Sequence, residues 1–325
     1  MAVSIAKGFN TKAVIVPEAM YGTLAESGQQ ALPIISETLT KNYVYMQNEV
    51  KVAGGASRLP SQLGNQTAGG TVTCEWDYDN CSELLTAAIG SLALGVFTPT
   101  EDLDDKYSII LDKELKRHQF LGGMCQEMRI RGGAGINNGK TLLETDWIFR
   151  SMTESDTAIL ADTLTASGKI KHSNLTFRIG NGTDALAAGD ALPLVEYTFR
   201  VRNNLSVIYA SGNSGSIIQP VRQSMREVTL EITLPYYSSD DETTAIKTAA
   251  AAHSLLQADF TWSDGTDTML LQIGEMYLGD YPNQNIESHD MLPFKAMFDV
   301  VKNVNNQTYL TAVDYDFLLT LTLGT

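Results

Sequence analysis

One stretch of the chain carries the residue types of a nucleotide-binding loop. Residues 134–141 read AGINNGKT, which fits the phosphate-loop pattern except that Ala134 replaces its first glycine. In such a loop, backbone N–H groups surround the phosphates, the lysine meets their charge and the threonine binds magnesium. The loop has to open a helix, whereas the residues that follow, TLLETDWIF, are typical of a strand. Asn138-Gly139 instead predicts a hairpin, because this dipeptide favours tight turns between strands. A nucleotide-binding enzyme is therefore kept only as an alternative function.

Acidic residues form a second candidate site. Glu75, Asp77 and Asp79 occupy every second position on or just after a strand pattern. Paired carboxylates can act as the acid and the base of glycoside hydrolysis. The same residues also fit a solvent-facing strand edge that leads into a helix cap, and this interpretation is favoured. We assign no catalytic residue and expect the protein not to be an enzyme.

Residues that bind metals in other proteins are scattered here. The four histidines lie far apart at His118, His172, His253 and His289. No two of them have the spacing of zinc ligands, so we expect no metal and no cofactor. The three cysteines are an odd number without a CxxC pair. This count fits a reducing cytoplasm better than a disulfide framework.

Composition limits the possible partners. The 325 residues are 43% hydrophobic and 19% charged, which allows a large core and predicts about two domains. The net charge is −15, and the sequence contains no dense basic block. This balance argues against tight binding of nucleic acid but not against letting nucleic acid pass by. We expect no membrane contact, because the longest uncharged apolar stretch is too short to span a bilayer.

The chain is organised around residues 69–90, GGTVTCEWDYDNCSELLTAAIG. Apolar and polar residues alternate up to Asp77, which predicts a half-buried strand. Asn80 precedes Glu83 by three residues, the spacing of a capping box, and a short apolar helix follows. Gly90 is predicted to end that helix.

A similar unit begins at Arg226 and reads REVTLEITLPYYSSDDETTAIKTAAAAHS. Matching blocks follow both units, at drifting offsets, so we interpret the chain as a degenerate tandem duplication. The predicted fold is mainly β, with one short helix in each half, and the predicted domains are residues 1–166 and 167–325. Residues 48–70, rich in Gly, Ser, Gln and Asn, are predicted to form a long loop that contacts a neighbouring subunit.

Several of these motifs occur together in one known family. The opening VIVPEAMYGT contains an E…GT segment, and a glycine pair, a strand ending in glutamate and an LLxAxG helix follow it. The positions concerned are Glu18, Gly22, Thr23, Gly69, Gly70, Glu75, Leu84, Leu85, Ala87 and Gly90. In these features the first half resembles the major tail tube proteins of long-tailed bacteriophages. The second half resembles them more weakly, and it lacks the glycine pair before its strand.

The resemblance implies a β-sandwich or half-barrel with a flanking helix in each half. It also implies stacked rings around a channel for DNA. Members with two tube domains form trimers that imitate six-fold rings. The implied partners are copies of the chain, the tail terminator, the tape measure and the baseplate or tip proteins, in the tail of a virion. Another virion component, such as a decoration or terminator protein, is the second alternative.

Two sets of residues are candidates for roles in such a tube. The acidic candidates for the channel wall are Glu75, Asp77 and Glu231. The candidates for contact between rings are Gly54, Gly55, Arg58, Gln62 and Asn65. We expect an acidic wall because a basic one would hold DNA through the release of counterions.

Overall fold

A computed structural model describes residues 11–25, 27–46, 62–156, 164–182, 185–235, 246–248, 251–279, 294–301 and 315–324. Within these ranges the chain is mainly β, as predicted. One helix of more than a single turn is described, α1(Ser82–Ile89), and residues 246–248 form a helical turn in the second half.

The strands occur in both halves of the chain. They are β1(Lys12–Glu18), β2(Gln30–Ala31), β3(Ile34–Glu37), β4(Thr40–Met46), β5(Gln62–Glu75), β6(Gly90–Ala93), β7(Val96–Pro99), β8(Lys106–Asp112), β9(Arg117–Gly133), β10(Leu142–Phe149), β11(Ser151–Ser155), β12(Leu175–Asn181), β13(Ala191–Leu192), β14(Glu196–Arg202), β15(Leu205–Ser206), β16(Val221–Arg222), β17(Glu227–Leu234), β18(Leu256–Ser263), β19(Thr268–Leu278), β20(Phe294–Val301) and β21(Phe317–Thr322).

Eight of these strands lie side by side in one antiparallel sheet. The order is β3, β5, β10, β9, β14, β17, β20 and β19. Alternate residues of a strand point to opposite faces, and residues directly opposite each other share a face. One face is apolar and buried; one of its rows is Cys74, Leu143, Ile130, Phe199, Leu230 and Phe298. This row explains why the predicted alternation of β5 and β17 is regular.

Pairing in the second half follows that of the first. β1 pairs with β2 and β8, as β12 pairs with β13 and β18. The long strand β9 pairs with β8, β10 and β11, as β19 pairs with β18, β20 and β21. The hairpin of β6 and β7 has no counterpart among the described residues of the second half. These relationships are consistent with an internal duplication.

The two halves share one hydrophobic core. Trp76 and Trp262 meet edge to face with ring centroids 5.1 Å apart. β9 pairs with β14, and β7 pairs with β21, so strands of each half extend the sheets of the other. The boundary between residues 166 and 167 remains a prediction. The segment that follows it is bound to the first half, where the Ile170 N–H donates to the carbonyl oxygen of Trp76 at 3.0 Å.

The predicted cap of α1 is wrong in its residues. The helix begins at Ser82 with Cys81 as its N-cap, and no side chain of the cap residue bonds to the helix. Gln30 caps the helix instead, because its Oε1 accepts a hydrogen bond from the backbone N–H of Glu83 at 3.0 Å. The predicted end of the helix at Gly90 is confirmed. The backbone N–H of Gly90 donates a hydrogen bond to the carbonyl oxygen of Thr86.

The predicted loop at 48–70 is wrong over residues 62–70. Residues 62–70 belong to β5, which pairs with β4 and so forms a long strand pair. The polar residues of this part did not prevent strand formation, because β-propensity depends on the pairing partner more than on residue type. Residues 48–61 lie outside the described residues.

The segment 134–141 joins two strands. β9 ends at Gly133, β10 begins at Leu142, and the two are antiparallel partners. Asn138 and Gly139 both have positive φ, at 61° and 79°, as a tight connection requires. The predicted hairpin is confirmed. The helix that a phosphate loop has to open is replaced by β10.

Candidate functional site: a charged sheet face

The second face of the eight-stranded sheet is polar. One row across it runs Ser36, Thr73, Glu144, Arg129, Arg200, Thr229, Asp299 and Tyr277. Each of these residues is opposite the next one on the neighbouring strand, so all eight side chains project to the same side. The row passes from the first half to the second between Arg129 and Arg200 without interruption. We call this surface the charged face.

Four arginines occupy the centre of the charged face. Arg129 and Arg131 lie on β9, and Arg200 and Arg202 lie on β14. Like charges directly opposite each other destabilise a sheet unless they are compensated. Here the compensation comes from carboxylates of β9, β10 and β17.

Glu127 is the main partner of these arginines. Its Oε2 lies 2.6 Å from Nη2 of Arg200 and 3.9 Å from Nε of Arg202, and its Oε1 contacts Arg129. The Glu127 side chain is 7% exposed, whereas the four arginine side chains are 35–43% exposed. Burial raises the pKa of the Glu127 carboxyl, but the hydrogen bonds and charges of Arg200 and Arg129 outweigh it and hold the pKa below the ordinary value.

Glu144 binds two arginines at the same time. Its Oε1 lies 3.1 Å from Nη1 of Arg131, and its Oε2 lies 3.7 Å from Nη1 of Arg129. Asp146 adds a contact of 3.6 Å to Arg129, and Glu227 lies 3.7 Å from Arg202. Each of the four arginines therefore has at least one carboxylate within ion-pair distance.

The charged face is close to neutral compared with the rest of the chain. On β5, β10, β9, β14, β17 and β20 its acidic residues are Glu75, Glu127, Glu144, Asp146, Glu196, Glu227, Glu231 and Asp299. Its basic residues are Arg129, Arg131, Arg200, Arg202 and Lys295, together with Lys140 just before β10. The net charge of these residues is −2, and Glu275 of β19 on the same face makes it −3, against −15 for the whole chain.

The comparison with protein families agrees with this architecture. A family model described as phage tail tube protein matches residues 8–300. The chain belongs to the phage tail tube protein family. No curated protein matched the chain. Membership of this family gives the chain a structural role in the tail of a virion, where tail tube proteins assemble with other tail components.

Two of the three predicted wall acids of this tail tube protein lie on the charged face. Glu75 is at the end of β5, where its Oε1 lies 2.9 Å from Nζ of Lys140, and Glu231 is exposed on β17. Asp77 differs, because its side chain is buried. It lies 3.0 Å from Nζ of Lys169 and accepts hydrogen bonds from Asn80. Asp77 therefore holds the segment after the first half and contributes no charge to the charged face.

Only two of the five residues predicted to contact the next ring are among the described residues. Gln62 and Asn65 lie in β5, while Gly54, Gly55 and Arg58 lie outside the described residues. Next to Asn65, Gln66 binds the second half: its Nε2 donates to Oγ of Ser216 at 3.1 Å.

Sequence reasoning missed the four arginines. A signal was present, since Arg129 and Arg131 alternate with buried Met128 and Ile130, and β14 repeats that pattern. Within the described part of the chain, no group of three or more His, Cys, Asp and Glu side chains is arranged to hold a metal. The helices described there are too short or too polar to cross a membrane.

Proposed function

We propose that this tail tube protein forms homotrimeric rings that stack into a tube around a DNA channel. Each chain would supply two similar halves, so that three chains imitate a six-fold ring. The polypeptide would be made in the cytoplasm of the bacterial host and would end in the virion tail. Its partners would be copies of itself, the tail terminator, the tape measure and the baseplate or tip proteins.

The observation that carries the proposal is the pairing of β9 with β14. It joins the sheet of the first half to that of the second in a head-to-tail manner, over seven residue pairs from Glu196–Gly133 to Arg202–Glu127. A head-to-tail contact between subunits closes into a ring when its rotation divides a full turn, and otherwise it gives an open filament. The same kind of junction between chains would continue the eight-stranded sheet around the whole ring.

The outer strands of the sheet support such a junction. At one end of the sheet, β3 and β4 expose Ile35, Tyr43, Val44 and Tyr45, which are 44–57% accessible. Exposed apolar residues on an outer strand favour association unless something covers them. At the other end lie β20 and the last residues of β19. We propose that these two ends meet between neighbouring chains.

The charged face would line the channel, with Glu75 and Glu231 on the wall. The opposite face is apolar and largely buried in the hydrophobic core, so it is not available to line a channel. DNA would pass along the charged face without sequence-specific binding, since the near-neutral balance supplies no excess of cations. The wall would thus be less acidic than the net charge of the chain suggests.

Electron microscopy of the concentrated protein tests the assembly. We expect rings or tubes whose subunits number three per ring, with the mass of the ring measured independently by native mass spectrometry. Hexameric rings, or a protein that remains monomeric at high concentration, would contradict the proposal.

A charge on the outer strand tests the junction. Val44→Lys places an ammonium group on β4, where Val44 is 57% exposed, and we expect it to block ring formation. Leu115→Lys is the control, because Leu115 is 51% exposed in the turn between β8 and β9. The control variant should assemble like the unmodified protein. If both variants form tubes, β4 is not part of the junction.

The segment around Gly54, Gly55 and Arg58 is proposed to contact the next ring. Removal of residues 51–59 leaves β4 and β5 intact, so the subunit should fold and form single rings that do not stack. Long tubes formed by the shortened protein would exclude this role.

A further inference from the structure

We propose that the four central arginines form a polyanion-binding surface that the chain's own carboxylates occupy, so that DNA phosphates are not held there. The inference rests on the proposed function in one respect, namely that the charged face meets DNA. The property inferred here is how far the guanidinium groups are available to bind phosphates. We call Arg129, Arg131, Arg200 and Arg202 the arginine cluster.

The chemistry of the cluster suits phosphate. A guanidinium group presents paired N–H donors that match carboxylate and phosphate oxygens equally well. Four such groups on two adjacent strands would offer a backbone of phosphates several contacts at once. Because binding of this kind releases counterions at each contact, a duplex would be held along its length.

The geometry shows why the cluster does not offer these contacts freely. Glu127 and Glu144 are 7% and 15% exposed, and they lie at the base of the arginine side chains. Between them, these two carboxylates contact all four guanidinium groups, at distances up to 3.9 Å. The carboxylates thus neutralise the guanidinium groups that phosphate oxygens would otherwise meet, and they accept hydrogen bonds from Arg200 and Arg131.

The internal ion pairs have an advantage over passing phosphates. Glu127 is fixed on the same sheet as its partners, so pairing costs little translational entropy, whereas DNA would have to displace a positioned anion. Because each chain is repeated around a ring and along a tube, one free arginine per chain would give a long row of binding sites. Neutralisation within each chain prevents this accumulation and leaves a wall over which a duplex slides.

Two pairs of substitutions on the same face separate this mechanism from a simple effect of net charge. The variant E127Q/E144Q removes both carboxylates and frees Arg131 and Arg200, while Asp146 stays within 3.6 Å of Arg129 and Glu227 within 3.7 Å of Arg202. The control E196Q/E231Q removes two carboxylates of the charged face that have no ion pair among the described residues. Both variants change the net charge by the same amount.

Binding of a fluorescent 20-base-pair duplex to the purified protein is then measured at several salt concentrations. The unmodified protein and the control should bind weakly, and E127Q/E144Q should bind at least about tenfold more tightly at 50 mM salt. If two further phosphates are neutralised, the slope of log K against log salt becomes steeper by about 2. Equal affinity of both variants, or no gain for E127Q/E144Q, would overturn the inference. Tight binding by the unmodified protein would also overturn it.

Circular dichroism and the melting temperature establish that each variant is folded. If E127Q/E144Q does not fold, E144Q/D146N replaces it. That variant keeps Glu127 and releases Arg131 completely, so a smaller gain over the control is expected, and no gain contradicts the inference. Electron microscopy of the same preparations tests the rings separately. A protein that fails to form tubes but gains DNA affinity in E127Q/E144Q would refute the proposed assembly and keep the arginine mechanism.

Discussion

The carboxylate of Glu18 accepts a hydrogen bond from the backbone N–H of Gly122, with Oε1 and N 2.8 Å apart. Oε2 accepts the N–H of Gly22 at 2.6 Å, and the hydroxyl of Ser108 donates to Oε1. One buried side chain thereby ties the end of β1 to β8 and to β9. The E…GT segment near the start of the chain is explained by this arrangement, in which Glu18 and the glycine four residues later form a closed turn.

Glu18→Ala should reduce the stability of the protein. The substitution leaves two buried donors and one half-buried donor without an acceptor, and loss of a hydrogen bond to a charged group costs about 1.5–3 kcal/mol. Chemical denaturation of both proteins measures the difference. Glu18→Gln keeps one carbonyl oxygen and should lose less. A Glu18→Ala protein as stable as the original would mean that water satisfies all three donors.

Gly90→Ala should destabilise the end of α1. Gly90 has φ 132°, a region that other residues rarely adopt, and an added Cβ would overlap the side chain of Thr100. Backbone strain of this kind costs about 1–3 kcal/mol, before the overlap is added. Gly135→Ala is the matched control, because a Cβ there meets nothing within 4 Å. Equal melting temperatures of the two variants would contradict the expectation.

Lys140→Ala should have little effect. Its ion pair with Glu75 joins side chains that are 43% and 19% exposed, and such pairs contribute less than about 1 kcal/mol. ATP with magnesium should not raise the melting temperature of the unmodified protein, since a ligand stabilises only the state that binds it. Saturable stabilisation by ATP that disappears in Lys140→Ala would restore the phosphate-loop interpretation.

The parts of the fold that depend on neighbours in sequence were predictable. The alternation of Val228, Leu230 and Ile232 with polar residues predicted a strand at the position of β17, because one face of that strand is buried. The tight turn at Asn138-Gly139 was predictable for the same local reason. Each of these signals reports the conformation of a few adjacent residues.

The remaining features depend on partners that are distant in sequence. Gln30 caps α1 across 53 residues, and Lys169 neutralises Asp77 across 92 residues. Neither partner is recognisable before the strands are arranged. The arginine cluster is similar, because Arg129 and Arg200 become neighbours only through the junction of β9 with β14. Without that junction, the net charge alone suggested an acidic wall.

The acid stability of the protein should depend on Glu127. Its pKa is lower in the folded protein than in the unfolded chain, so its contribution is complete above the unfolded value. The contribution is lost as the pH falls through the depressed, folded value. Thermal unfolding between pH 3 and pH 7 should therefore show a large gap between the original protein and Glu127→Gln near neutrality, and a smaller gap at the acidic end. A gap that widens on acidification would contradict the sign.

Asn203 should be required for the two halves to unfold as one unit. It follows β14, is fully buried, and its Nδ2 donates to the carbonyl oxygens of Ala88 at 2.9 Å and Cys125 at 3.1 Å. Its Oδ1 accepts from Nη2 of Arg222 at 3.0 Å. The side chain thus satisfies the last turn of α1 and a strand of the first half from a position in the second. Asn203→Ala leaves these groups unpaired, which costs about 1–3 kcal/mol for each buried group.

Calorimetry distinguishes two possible results of this substitution. If Asn203 couples the halves, the single transition expected of the original protein should broaden or divide in Asn203→Ala. Asn174→Ala is the control, since Asn174 is bonded to its neighbour Ser173 rather than to the other half. Its transition should keep its shape. A sharp single transition in Asn203→Ala, shifted only to lower temperature, would mean that the pairing of β9 with β14 suffices to couple the halves.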